Sequence, residues 1–221
     1  MSKVKDTLRI YFFGDSICFG QYVSPHLTWV HHLSRWVTDR IAERGMQCLV
    51  QNPSVNGNTT RMALERMPYD VLAHNPDVVL VQFGMNDCNY WRTDNGVPRV
   101  SPAEFEANLI DIVDRCFHAG ARSVLLNTNH PTTRTQGEVY PGKGSYEESN
   151  RSYNAIIRSV AASYDGNVRL CDIEAVFRNA GGELAQYVLE DGLHLSVAGH
   201  RLYVEAVEPH LASLIDGVGI D

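Results

Sequence analysis

The chain predicts an α/β fold, a three-layer α/β/α sandwich built around a five-stranded parallel sheet. Short apolar runs alternate with longer stretches of helical periodicity, the pattern of strand-helix-strand units whose connections cross over a sheet. The runs are close to continuous, as expected of strands covered on both faces. At 221 residues, 44% of them apolar, the chain can fill one substantial core, and a single domain over 1–221 is expected.

The elements follow in order. LRIYFFG (8–14) is the first strand. Ser24 and Pro25 offer an N-cap and a first-turn proline to the segment 24–45, where Leu27, Val30, Leu33, Val37 and Ile41 recur at helical spacing and Gly45 ends the pattern. QCLVQN (47–52) is the second strand, after which Thr59 or Thr60 caps a helix that Pro68 is expected to break or kink. DVVLVQFG (77–84) is the third strand. Ser101, Pro102 and Glu104 then form a capping box that starts a helix running to about Ala119, before Gly120. RSVLLNT (122–128) and NVRLCDI (167–173) complete the sheet. Two long helices, EESNRSYNAIIRSVAASY and SVAGHRLYVEAVEPHLASLI, finish the pattern, the second capped by Ser196 and interrupted at Pro209.

Composition excludes several classes of function. A formal net charge of -7 with no extended basic run argues against a nucleic-acid surface. The N-terminus carries Lys3 and Lys5, but its apolar segment is only a strand long and leads into Gly14 rather than a cleavage site, so neither a signal peptide nor a membrane span is expected. Cys18, Cys48, Cys88, Cys116 and Cys171 form no CxxC pair, and an odd count cannot close fully into disulfides; free thiols and a cytoplasmic location are expected. Nothing in the composition reveals an oligomeric interface.

Two connections, 88–101 and 129–149, are long and irregular, and both follow strand ends on the edge where open α/β sheets bind ligands. On the same edge, Ser16 stands in a turn directly after the first strand. A serine there is either turn chemistry or a nucleophile, and a nucleophile needs a base, a group to orient that base, and donors for an oxyanion. DGLHLSVAGH supplies the first two: Asp191 and His194 lie three apart in a glycine-containing turn before a helix. Among the other histidines, His31 and His32 lie within a helix, His200 and His210 read as surface helix positions, and His26, His74 and His118 sit near helix ends. His130 follows a strand and is a contender for substrate contact. Strand-end turns also offer donors, the backbone N–H of Gly57 in NPSVNGNTT and the side-chain amide of Asn86 in GMND. Asp15 and Asp87 are expected to bond turn amides. No HxH or HExxH spacing supports a metal site.

These blocks together resemble the SGNH hydrolases, a branch of the GDSL esterases and lipases. The first block resembles FGDS, the second NPSVNGNTT, the third GMND and the fifth DGLHLSVAGH, in the family's order from residue 14 to 194. The first reads GDSI rather than GDSL, and the G-x-S-x-G elbow of the α/β-hydrolases is absent. The resemblance implies a flavodoxin-like sheet, Ser16 as nucleophile, Asp191 and His194 completing a triad, and an oxyanion hole formed by Ser16, Gly57 and Asn86. It implies a serine esterase working through an acyl-serine intermediate on a small-molecule acyl ester, without metal or organic cofactor. Tyr90, Trp91, Arg92, Arg134 and Tyr140 give the rim a mixed aromatic and cationic character, suited to a short acyl group on a polar or carbohydrate carrier, although these residues equally could pack the loops. The alternatives are acyl transfer to an alcohol by the same triad and a non-catalytic binding module.

Overall fold

The computed structural model describes residues 7–216; Lys3 and Lys5 lie outside the described residues. Five strands, β1 (Thr7–Gly14), β2 (Gln47–Gln51), β3 (Val78–Gln82), β4 (Ser123–Asn127) and β5 (Val168–Cys171), form one sheet in the order β2-β1-β3-β4-β5. Every neighbouring pair is parallel, as the sequence predicts, with Ile10 opposite Val50 on one side and Val78 on the other. Parallel neighbours cannot be joined by a hairpin, so each connection carries helix. The helices are α1 (Ser16–Phe19), α2 (Trp29–Glu43), α3 (Thr60–Asp70), α4 (Pro102–His118), α5 (Tyr146–Ala162), α6 (Ile173–Asn179) and α7 (Val197–Asp216).

Strand periodicity builds the three layers. Leu8, Ile10 and Phe12 project to one face, where they pack with Leu33, Val37 and Ile41 of α2 and with Val207 and Leu211 of α7. Tyr11 and Phe13 project to the other, against Ala63 and Met67 of α3, Leu109 and Ile112 of α4, and Ile157 of α5. β2 stands at the edge of the sheet, and its residues alternate between exposed and half-buried. The chain leaves β1 toward β2 on one side and returns to β3 on the other. That reversal opens a crevice outside the carboxyl ends of β1 and β3, the switch point where sheets of this order bind ligands.

Several local expectations are corrected. Ser24 and Pro25 open a short 3-10 turn, Pro25–Leu27, and α2 starts only at Trp29, capped by the Thr28 hydroxyl, which accepts from the His31 amide. Neither Pro68 nor Pro209 breaks its helix; α3 and α7 run through them. Ser101 does accept from the Glu104 amide, but the Glu104 carboxylate forks onto Arg61 at 2.7 and 2.8 Å instead of closing a capping box. The reciprocal box occurs at Ser145 and Glu148, at the start of α5. β5 stops at Cys171 because Asp172 caps α6, its Oδ1 accepting from the Ala175 amide.

Candidate active site

Ser16 owes its position to the end of β1. At Gly14 a Cβ would lie 2.6 Å from Cys18 Cβ and 2.7 Å from the Gln82 carbonyl oxygen, so only glycine allows the chain to turn this closely against β3. Asp15 then caps the helical turn α1, its Oδ1 accepting from the Ile17 amide at 2.9 Å, and Ser16 becomes the first helical residue at the crevice. The turn is fastened from below. Trp29 Nε1 donates to the Ile17 carbonyl at 2.9 Å, and the Trp29 ring stacks on Tyr203 with centroids 4.4 Å apart. The Trp29 amide donates to His200 Nδ1 at 3.2 Å. His200 is therefore no surface residue: it is 1% exposed, and burial pushes its pKa down to about 4.

The structure brings Ser16, His194 and Asp191 into one hydrogen-bonded series. His194 Nε2 lies 3.0 Å from Ser16 Oγ, and His194 Nδ1 lies 2.5 Å from Asp191 Oδ2. Asp191 Oδ1 accepts from the amides of Leu193 and His194 at 2.9 and 3.0 Å, so the turn itself aims the carboxylate. Burial pushes the Asp191 carboxyl up, but its hydrogen bonds from His194 and from these two amides outweigh that and hold its pKa below the ordinary value. Because Asp191 accepts at Nδ1, that nitrogen carries the proton and Nε2 presents a lone pair to Ser16. Such an array can take the proton of the serine hydroxyl.

Neighbouring segments hold the turn. Arg134 Nε donates to the Asp191 carbonyl at 2.8 Å and the Thr133 amide to the Gly192 carbonyl at 3.1 Å. His130 Nε2 donates to the Leu193 carbonyl at 2.7 Å. His130 does not reach the surface: it is 0% exposed, its pKa is pushed down to about 4 by burial, and it braces the turn from beneath.

Asn86 follows β3 and faces Ser16's turn, its Nδ2 donating to Asp15 Oδ2 at 3.3 Å. Gly57 lies exposed in the turn after β2 with φ +77°, a conformation that favours glycine. Asp87 is buried and bonds the start of α3, Oδ1 accepting from the Thr60 amide at 2.8 Å and from the Thr60 hydroxyl at 2.5 Å. Burial pushes Asp15 up to about 7 and Asp87 up to about 6.

The expected rim residues divide. Trp91 and Arg92 are exposed, Tyr90 and Tyr140 half-buried, and the exposed Arg134 reaches back over the Tyr146 ring. Beside Arg134 opens a cleft of about 330 Å³ lined by Asn89, Thr133, Gln136, Val139 and Tyr146. A larger cavity of about 690 Å³ lies away from Ser16, among the ion-paired Arg158, Arg178 and Glu174. Two residues of the site escaped the sequence reading. Tyr22, at φ +69° and 72% exposed, sets its ring edge-on to His194 with centroids 5.1 Å apart. Arg99 bonds both Asn86 and Gly57. Gly20 marks a turn near Tyr22, but nothing in the sequence points to Arg99. Among the described residues no group of three His, Cys, Asp or Glu side chains could hold a metal ion.

A 2-1-3-4-5 parallel sheet with a hydroxyl, an imidazole and a carboxylate bonded in series at its switch point has the parts of a hydrolase that works through an activated alcohol. The GDSL-like lipase/acylhydrolase family matches residues 12–202. The chain belongs to that family, and is a carboxylic ester hydrolase of the GDSL/SGNH type. It is 27% identical over 220 residues to the uncharacterized lipoprotein YqeF of Bacillus subtilis, covering 89% of this chain and 88% of that protein. It is 24% identical over 202 residues to esterase TesA of Pseudomonas aeruginosa, covering 91% and 87%. An acetylxylan esterase of Geobacillus stearothermophilus is 26% identical over 222 residues, covering 92% and 94%. The crystal structure of Axe2, an acetylxylan esterase from that organism, superposes with a TM-score of 0.71 at 21% identity, over 97% of this chain and 95% of that one.

Proposed function

We propose that this chain, as a single domain, is a serine esterase that removes a short acyl group from a polar or carbohydrate carrier through an acyl-Ser16 intermediate. The observation that carries the reading is the unbroken series from Ser16 Oγ to His194 Nε2 at 3.0 Å and from His194 Nδ1 to Asp191 at 2.5 Å. His194 takes the Ser16 proton as Oγ attacks the ester carbonyl carbon, and Asp191 stabilises the imidazolium that forms. The carbonyl oxygen, now anionic, accepts from the N–H groups of Ser16 and Gly57 and from Asn86 Nδ2. Collapse of the tetrahedral species breaks the bond to the alkoxide, which leaves with the proton from His194. Water then attacks the acyl-serine with His194 again as base, returning Ser16 and releasing the carboxylic acid.

A short acyl group is favoured by the modest cleft at Arg134 and Tyr146 and by the polar amides that line it. The acetylxylan esterase relative supports a carbohydrate carrier. The five free thiols, four of them buried, favour a cytoplasmic setting; the lipoprotein name of the Bacillus relative opposes it. A series of p-nitrophenyl esters tests the reading. Ser16→Ala should be inactive at every chain length, with an unchanged melting temperature and no phosphonate adduct by intact mass, while the native chain labels once and prefers acetyl or butyryl esters. Wild-type turnover by Ser16→Ala refutes the mechanism, and a preference for chains of about eight carbons or more refutes the short acyl group.

A further inference from the structure

The two residues given the oxyanion in the proposed function sit on different turns, and Arg99 joins them. Its Nη1 donates to Asn86 Oδ1 at 3.2 Å and its Nη2 to the Gly57 carbonyl at 3.0 Å. The guanidinium lies 4.5 Å over the Trp91 ring. Its backbone belongs to the same turn, with the Arg99 amide donating to the Asn89 carbonyl at 2.8 Å and the Val100 amide to the Asp87 carbonyl at 3.1 Å. We propose that Arg99 is the positioning residue of the oxyanion site, fixing which end of the Asn86 amide faces the substrate and where the Gly57 peptide points. The inference rests on the oxyanion roles proposed above for Asn86 and Gly57.

A carboxamide has two ends of nearly equal shape, and only the nitrogen end can donate. Once Asp15 is ionised, above about pH 7, Asn86 is held between opposite charges: Nδ2 donates to Asp15 Oδ2 at 3.3 Å, and Oδ1 accepts from Arg99. A half-turn of the amide would set its N–H groups against the guanidinium and its oxygen against the carboxylate, losing two charge-assisted bonds at once. The orientation that leaves the second Nδ2 hydrogen free to donate is therefore locked. Gly57 has more need of a clamp. It is exposed, and a Cβ built on it would meet nothing within 4 Å, so no side chain packs over its α-carbon. The turn bond from the Asn58 amide to the Val55 carbonyl and the Arg99 bond to the Gly57 carbonyl both fasten the Gly57–Asn58 peptide, directly after the α-carbon that carries the Gly57 N–H. A lysine could not replace Arg99, because two acceptors on separate turns are met by two nitrogens of one planar fork. The half-buried cation also places positive charge behind the amide, where it polarises Nδ2–H toward stronger donation.

The test is steady-state kinetics on p-nitrophenyl acetate with active sites counted by phosphonate titration. Losing one oxyanion donor costs roughly 100- to 1000-fold, so loosening two is expected to lower kcat about 10- to 100-fold in Arg99→Ala, with KM within about threefold of the native value. Arg99→Lys should recover little of this, and added guanidinium ion at millimolar concentration should restore activity to Arg99→Ala where sodium chloride does not. In an Asn86→Ala background, Arg99→Ala should cost much less than it does alone. If Arg99→Ala is unstable, the same split is read from Arg99→Gln, which keeps a polar side chain but loses the cationic fork. Three results overturn the proposal: kcat within threefold of native, a loss confined to KM, or full additivity with Asn86→Ala. An active Ser16→Ala control would instead sink the esterase mechanism itself, so the two failures are told apart.

Discussion

At the scale of the residue, the proposed chemistry turns on the proton between His194 Nδ1 and Asp191 Oδ2 at 2.5 Å. In Asp191→Asn the carbonyl end can still accept from the Leu193 and His194 amides, which now meet Asp191 Oδ1. The amide nitrogen then faces His194 Nδ1, obliging that atom to accept and driving the ring proton to Nε2, where it confronts Ser16. A serine facing a donor cannot surrender its proton, so kcat on a short ester should fall on the order of 10⁴-fold with the melting temperature little changed. A loss below about tenfold would mean that Asp191 does not select the tautomer. Asp191 and His194 were legible because their contact is local, made within four residues of one turn. Ser16, Gly57 and Asn86 were legible as turn residues after strands, and the parallel sheet explains why those turns share an edge. Arg99, Tyr22 and His200 were not legible. What each one touches depends on which distant segment lies over it, as Trp29 lies over His200, and periodicity along one helix carries no record of its neighbours.

At the scale of the element, hydrophobic period gave all five strands and the long helices, while punctuation misled more than once. Pro68 and Pro209 read as breaks because each removes an amide from the helical ladder. Both helices continue because Met67 and Leu211, beside those prolines, are fully buried and packing holds the backbone in place. The four residues of α1 and seven of α6 are too short to show a period. At the N-terminus of α5, the Ser145 hydroxyl accepts from the Glu148 amide at 3.2 Å, and Glu148 Oε2 accepts from the Ser145 amide at 2.7 Å. The α5 residues behind this box, Glu147 and Asn150, bond the Thr132 amide at 2.7 Å and the His130 carbonyl at 3.0 Å, so the cap lies next to the segment that braces His194's turn. Ser145→Ala should cost about 1 kcal/mol, read as a lower urea midpoint with an unchanged m-value. A loss below about 0.3 kcal/mol would show that packing of α5 makes the box redundant.

At the scale of the whole molecule, the buried titratable groups pull stability in opposite directions with pH. Burial raises Asp15 to about 7 and Asp87 to about 6, so the folded chain holds these protons more tightly than the unfolded chain does. Their contribution is fully present below the unfolded value of about 3.9 and is lost as pH rises through 6 to 7. His130 and His200 are lowered to about 4, so the folded chain sheds their protons early. Their contribution is present above the unfolded value of about 6.5 and is lost as pH falls from there toward 4. Between about 4 and 6.5 the two pairs oppose each other and flatten the stability profile; above about 6.5 the carboxyls act without that opposition, and stability should decline toward pH 8. Asp87→Asn isolates one arm, since an amide oxygen can keep the two bonds that Thr60 donates to Oδ1, yet an amide has no proton to lose. The melting temperature of Asp87→Asn relative to the native chain should therefore climb by a few degrees between pH 5 and pH 8. A difference that stays constant across that range would mean Asp87 is already ionised at pH 5, and that burial does not govern its proton.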